Sequence, residues 1–392
     1  MRLDKPRLPV YTVDNEASLD LLVEALDAVQ QVSIDAERAS GFRYSQRAYL
    51  IQIAIKDVGI WLVDPVAETD LAPLIPKLNS KTWLLHAATQ DLPCLAELGL
   101  KPNGLIDTEL TARIVGLERV GLGSVCESLL GIELAKEHSA ADWSQRPLTQ
   151  EMLDYAALDV DVMFELWEKL SELAIASNKQ TWLEEEFAHL LDFKPKPALE
   201  EPWRGLPGIS RIKDLAKLKI AASLHAARDA IAVEKDIAPG RLIPDRSIMA
   251  AVNQAPKSRG ELANNKEFQG RASRTLLSTW WDAIARSPEL EISIEPAEKG
   301  NGIPNHKSWE RRFPEAHHRL EVIRPLVLEV ATELNVPIEN LLTPDYLRRV
   351  CFEPQEDIAQ QLRSYGARNW QVEAVTEVIQ KGLLAAAQSQ SA

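Results

Sequence analysis

Apolar and polar residues alternate along Val32-Ser33-Ile34-Asp35-Ala36-Glu37, which predicts a strand with Val32, Ile34 and Ala36 on one face and both acids on the other. Leu50 to Ile55 and Ile60 to Val63 are short runs rich in β-branched residues, separated by the turn-like Lys56-Asp57-Val58-Gly59, and predict neighbouring strands. Trp83-Leu84-Leu85-His86 predicts a further strand, and the Ala87 to Leu92 stretch behind it puts Asp91 near a strand-to-helix junction. The period then changes. From Thr149, the expected N-cap, to Leu170, the apolar residues Leu153, Ala156, Ala157, Val160, Phe164 and Trp167 recur at helical spacing. Tyr155 and Asp159 are i and i+4 in that helix, one above the other on one face.

Two Pro-containing, strand-poor stretches interrupt the chain, Asp192 to Pro202 and Ser287 to Asn305. They suggest three domains, 1–195, 205–287 and 306–386, the last two helical throughout. Leu215, Leu218, Ala222, His225 and Ala226 through Ile231 predict one amphipathic helix, and Leu276 through Trp280, Trp281 and Ile284 another. An internal repeat links the two helical segments, because Glu234 to Asp245 echoes Glu333 to Asp345, each after a long helix.

Asp35, Glu37, Asp91 and Asp159 are the candidate chemistry. Carboxylates held close together raise one another's pKa, and a bound divalent cation is the usual compensation. Oxygen-only ligands suit Mg²⁺ or Mn²⁺ rather than Zn²⁺, and two such ions about 3.5–4 Å apart can stabilise the entering and leaving oxygens of an in-line phosphoryl displacement. Tyr155 would then orient the attacking water. A lone Asp-x-Glu on a strand is most often a solvated face, and a lone Tyr-x-x-x-Asp is common. The weight lies in all three motifs occurring in order on suitable elements.

Asp35-Ala36-Glu37, His86 to Leu92 and Tyr155 to Asp159 resemble the three motifs of the DEDD exonuclease superfamily in its tyrosine form, and the ribonuclease D family in particular. Asp142-Trp143-Ser144-Gln145-Arg146-Pro147-Leu148 resembles that family's lead-in to the third motif. The resemblance implies an α/β ribonuclease H-like exonuclease domain, with a mixed sheet flanked by helices, followed by two all-α HRDC-like domains. It implies 3′-to-5′ hydrolysis releasing 5′-mononucleotides, Asp35, Glu37, Asp91 and Asp159 as ligands of two divalent cations, and structured RNA such as tRNA precursors as substrate. Two departures stand out: Arg38 to Tyr44 is a small-residue version of a stretch often bulkier in relatives, and Thr89 occupies a position where a basic residue is common. A DNA-directed exonuclease with the same site, and a non-catalytic RNA-binding scaffold, are the alternatives. His86 reads as a structural hydrogen-bonding residue, Asp154 and Asp161 as surface charges, and Arg146 as either a phosphate contact or the partner of a nearby carboxylate.

Charge and composition refine this. The net charge is −14 over 392 residues, which argues against a polyanionic partner until its distribution is seen. Residues 1–200 carry −15, 201–290 carry +5 and 291–392 carry −4. The basic middle segment is the candidate RNA footprint, with Lys213, Lys217, Arg241 and Arg246 as its candidate contacts. The three cysteines are isolated, which excludes a C-x-x-C metal pair and leaves them reduced. No apolar run of about 18 residues and no signal-peptide core is present, so the expectation is a cytoplasmic protein without a membrane partner. No P-loop occurs, which removes a fused helicase motor. Nothing in the sequence signals an oligomeric state.

Overall fold

The protein is described here by a computed structural model covering residues 1–135, 141–195, 197, 199–294 and 302–390. Parts of both Pro-containing breaks, Lys196, Ala198 and residues 295–301, lie outside the described residues. Six strands make one mixed sheet: β1 (Val10–Val13), β2 (Gln31–Arg38), β3 (Ala48–Ile55), β4 (Gly59–Val63), β5 (Thr82–Leu85) and β6 (Gly104–Asp107), in the spatial order β1-β4-β3-β2-β5-β6. β3 runs antiparallel to β2 and β4, while β1, β5 and β6 join in parallel.

Both faces of the sheet are covered, so all eight residues of β3 are buried. On one face Leu19, Leu22 and Leu26 of the Glu16–Asp27 helix pack on Val32, Ile34 and Ala36, the apolar set of β2. On the other face α1 (Gln150–Asp161) and α2 (Met163–Ala176) bury Ala156, Ala157, Val160 and Leu166 against Leu50, Ala54 and Leu62. The acids of β2 therefore look toward α1. Thr149 caps that helix as expected, accepting from Met152 N at 3.3 Å.

The single helix expected from Thr149 to Leu170 is two helices, broken at Val162. Arg7 binds at the break. Its Nη2 donates to the Asp161 carbonyl at 3.2 Å, while its backbone N and Nε donate to the Asp161 carboxylate at 3.0 and 3.1 Å. Asp161 is thus not the surface charge its position suggests: it is 6% exposed and ion-paired.

The helical part holds two cores of different character. The first module, around α4 (Leu215–Lys235), has a core of its own, from Trp203, Leu218, Leu224 and Ile248 to Trp280. The second, built on α5 (Pro314–Glu333) and α6 (Asn369–Gln390), shares its core with the exonuclease domain, since Ile114, Ala174 and Leu183 join Ile323, Val327 and Trp370 in one cluster. The sequence repeat is a repeat of backbone shape. α4 gives way to Asp236 at φ 45° and α5 to Asn335 at φ 48°, each followed by a four-residue helix, Pro239–Leu242 or Ile338–Leu341. Asn and Asp tolerate this left-handed conformation better than other non-glycine residues. No helix among the described residues is long and apolar enough to cross a membrane.

Candidate active site

A cleft of about 310 Å³ lies between the C-terminal half of β2 and the junction of α1 with α2, and Asp35, Glu37, Asp91, Tyr155 and Asp159 all line it. Three sequence motifs thus meet in one place. Asp35 and Glu37 come from alternate positions of β2, opposite Gln52 and Leu50 of β3. Asp159 and Tyr155 come from adjacent turns of α1, and the Tyr155 hydroxyl donates to the Asp159 carboxylate. The buried Trp143 packs beside Tyr155, ring centroids 6.3 Å apart, so the lead-in segment fixes the tyrosine.

Asp91 needs a more contrived backbone. After β5 the chain passes through Ala87 at φ 61°, a conformation that costs a residue with a Cβ of order 1 kcal/mol. Asp107 holds it there: its carboxylate accepts from Ala87 N at 3.1 Å and Ala88 N at 2.8 Å, and also caps the Thr108–Ile114 helix through Leu110 N. A short 3₁₀ turn, Ala88–Gln90, then delivers Asp91 into the cleft. Sequence reasoning missed Asp107, although an Asp-Thr pair after an apolar run carries the signature of a helix cap. His86 is the structural residue expected, its Nδ1 2.8 Å from Thr108 Oγ1, and burial pushes its pKa down to about 4.

The electrostatics are those of a carboxylate cluster lacking a matching charge. Oxygens of Asp35, Glu37 and Asp159 all lie within 4.8 Å of one another. Burial, then the charges of Asp35, Asp159 and Asp91, pushes Glu37 up to about 10. Burial and Asp35 push Asp91 up to about 9, and Asp159 is raised well above the usual range by burial and Asp35. Asp91 stands outside the close trio, hydrogen-bonded to Asp35 on one side and facing Arg38 at 3.5 Å on the other. Oxygen-only donors suit a hard divalent cation, so this trio could hold one such ion, with Asp91, hydrogen-bonded to Asp35, beside it.

The remaining candidates distribute differently. Arg146 is fully engaged by protein: Nε and Nη2 bind the Asp64 carboxylate at 2.6 and 2.8 Å, and the other donors reach the carbonyls of Tyr49, Trp143 and Gln145. It is a structural clamp and the partner of a carboxylate. Asp154 accepts from Gln150 on the surface of α1. The four basic candidates do not form one patch. Lys213 and Lys217 lie at the start of α4, where Lys217 Nζ bonds Asn253 O at the end of the Asp245–Gln254 helix. Arg246 lies at that helix's opposite end, and Arg241 is committed to the exonuclease domain through Gly41 O at 2.7 Å and the face of Phe42. Arg38 to Tyr44, the departure from the family pattern, is thus the seat of the first helical module.

Comparison with known proteins supports the same reading. A family model described as 3′-5′ exonuclease matches residues 10–174, and one described as HRDC domain matches residues 217–284. The second helical module, expected as an HRDC-like copy, matches at residues 302–383 a model described as 3′ to 5′ exonuclease C-terminal domain. A ribonuclease D of Shewanella sp. is 30% identical over 321 residues, 78% of this chain and 81% of the relative. The chain belongs to the ribonuclease D family. It is a 3′-to-5′ exoribonuclease, acting on RNA with divalent metal ions. A protein from Bifidobacterium adolescentis superposes on this family member with a TM-score of 0.87 at 33% identity, covering 97% of this chain and 99% of that one. Escherichia coli RNase D, described as an exoribonuclease involved in structured RNA processing, shares the fold with a TM-score of 0.71 at 23% identity, covering 96% and 99%.

Proposed function

We propose that Asp35, Glu37, Asp91 and Asp159 hold two Mg²⁺ or Mn²⁺ ions and that the chain trims 3′ tails of structured RNA such as tRNA precursors, releasing 5′-mononucleotides. The observation that carries this is the convergence of five motif residues from three separate segments in one cleft, with three carboxylates within 4.8 Å. Divalent ions bound there supply Lewis-acid stabilisation of the entering and leaving oxygens. The protein supplies the rest. Tyr155, anchored by its bond to Asp159 and by Trp143, presents its phenol beside the cleft and orients the attacking water; its pKa is raised by burial and then by Asp159, so it stays a protonated donor. Asp107 holds the turn that presents Asp91.

We assign domain limits of 1–195, 205–287 and 306–386, and place the protein in the cytoplasm, where RNA precursors and reduced cysteines coexist. Lys213, Lys217 and Arg246 remain proposed backbone contacts for RNA, Arg241 contributing more through docking than through phosphate. Incubating the purified protein with 3′-extended tRNA and matched DNA, with and without Mg²⁺ or Mn²⁺, and resolving products by length tests the reading. Stepwise shortening of RNA that requires the ion supports it; cleavage without divalent ions overturns the metal assignment, and equal cleavage of DNA overturns the RNA preference.

A further inference from the structure

Arg38 is the residue of the cleft that the foregoing chemistry leaves without a task. In an unbroken strand it would follow Glu37 onto the opposite face of the sheet. The register shifts at this point, Glu37 pairing with Leu50 and Arg38 with Ala48 so that Tyr49 is skipped. A bulge of this kind re-aims side chains, and Arg38 lines the same cleft as the acids.

Its bonding contrasts with that of two other arginines of the exonuclease domain. Arg146 spends its donors on one carboxylate and three carbonyls, and Arg7 spends its own on Asp161 and Glu165. The Arg38 guanidinium makes no hydrogen bond among the described residues; its one ion pair is with Asp91 Oδ1 at 3.5 Å, its charge also acts on Asp35 and Glu37, and 27% of its side chain is exposed. An arginine offers five N–H donors in a planar fork suited to phosphate. Here the fork is unspent, and His86, the other basic side chain lining the cleft, is held neutral by burial.

We propose that Arg38 grips the phosphate of the 3′-terminal nucleotide, leaving Asp91 for a non-bridging phosphate oxygen once cations neutralise the carboxylates. The inference rests on the metal-site reading above. With Asp35, Glu37 and Asp91 all engaged by cations, Arg38 loses its electrostatic partners, and the substrate phosphate is the anion that remains in reach. A charge-assisted, bidentate contact of this type changes affinity roughly ten- to hundred-fold.

Calorimetry separates the possibilities. Wild type, Arg38→Gln and Arg38→Lys are titrated with Mn²⁺, and the Mn²⁺-loaded proteins then with adenosine 5′-monophosphate and with adenosine. Expected is Mn²⁺ binding in Arg38→Gln at least as tight as in wild type, an affinity for the monophosphate reduced about ten-fold or more, adenosine affinity unchanged and partial recovery in Arg38→Lys. Equal losses for monophosphate and adenosine, or weakened Mn²⁺ binding in Arg38→Gln, would show that Arg38 only props Asp91 and overturn the proposal. Undiminished monophosphate binding in Arg38→Gln overturns it while the metal site stands. A wild type that binds no Mn²⁺ brings down the metal-site reading and this inference together.

Discussion

The two helical modules turn the same corner and use it in opposite ways. In the first, Asp236 at the left-handed end of α4 accepts from Ser45 N at 2.8 Å and from the Tyr49 hydroxyl at 3.4 Å, Ala238 N donates to Phe42 O, and Arg241 lies over Phe42. These are polar contacts between two separate cores. In the second, Asn335 at the equivalent corner receives Lys179 Nζ on its carbonyl and presses against Gly116, where an added Cβ would lie 2.1 Å from the Asn335 amide nitrogen. Gly116, at φ 87°, is required there for both reasons. Around it Trp182 stacks on Trp370 with centroids 4.6 Å apart, and Arg368 pairs with the buried Glu186. One duplicated turn thus serves as a polar contact between two separate cores and as part of one shared core.

The sharpest way to break this contrast is at the second interface. Glu186→Ala or Arg368→Ala leaves a buried charge unpaired, which costs about 3–5 kcal/mol, and Trp370→Ala removes a core aromatic at a similar cost. Denaturant unfolding should show exonuclease domain and second module losing stability together in one transition. A variant in which the module melts alone would contradict the shared core.

Asp236→Gly is the matched change at the first interface. It keeps the positive φ at no steric cost while removing the carboxylate. The expected loss is about 1–3 kcal/mol of docking, seen as a larger radius of gyration in solution scattering with the catalytic domain's melting unchanged. Acid should mimic it. Burial raises the Asp236 pKa, but the bonds from Ser45 and Tyr49 and the charge of Arg47 outweigh it, leaving it below the usual carboxylate value. Docking is therefore complete above that value and lost as pH falls through the depressed pKa. An unchanged radius in both experiments would mean that the modules are held alike.

The smallest effect belongs to RNA binding. Lys213→Gln with Arg246→Gln, which leave docking intact, should reduce the salt slope of binding to a single-stranded tail by about 0.7 for each phosphate no longer neutralised. A slope identical to wild type would assign the first module to spacing.

Much of this was legible beforehand because it is local. Alternation in β2 placed both acids on one face, i,i+4 spacing placed Tyr155 over Asp159, and the repeated turn showed as one stretch echoing another. What stayed hidden depends on partners distant in sequence. Asp161 lies off the Tyr155–Asp159 stripe and reads as surface until Arg7, 154 positions away, is seen to bury it. The aim of Arg38 depends on a register set by β3, and Asp91 depends on Asp107 bracing a left-handed alanine. The separation of the four basic candidates follows from two antiparallel helices, which composition cannot reveal.

Asp159→Asn, compared with wild type at several pH values with and without Mg²⁺, tests the metal centre most directly. Glu37 at about 10 and Asp91 at about 9 are raised from 4.5 and 3.8, so the metal-free fold holds more protons than the unfolded chain, and its melting temperature should fall as pH rises between those limits. Mg²⁺ should abolish that fall in wild type. Asp159→Asn should melt no lower than metal-free wild type, gain little from Mg²⁺, and hydrolyse RNA more slowly by over about 100-fold, the upper end of what loss of an outer-shell partner costs. A variant that keeps near-wild-type hydrolysis and Mg²⁺ stabilisation would contradict the assignment of this cleft as the metal centre.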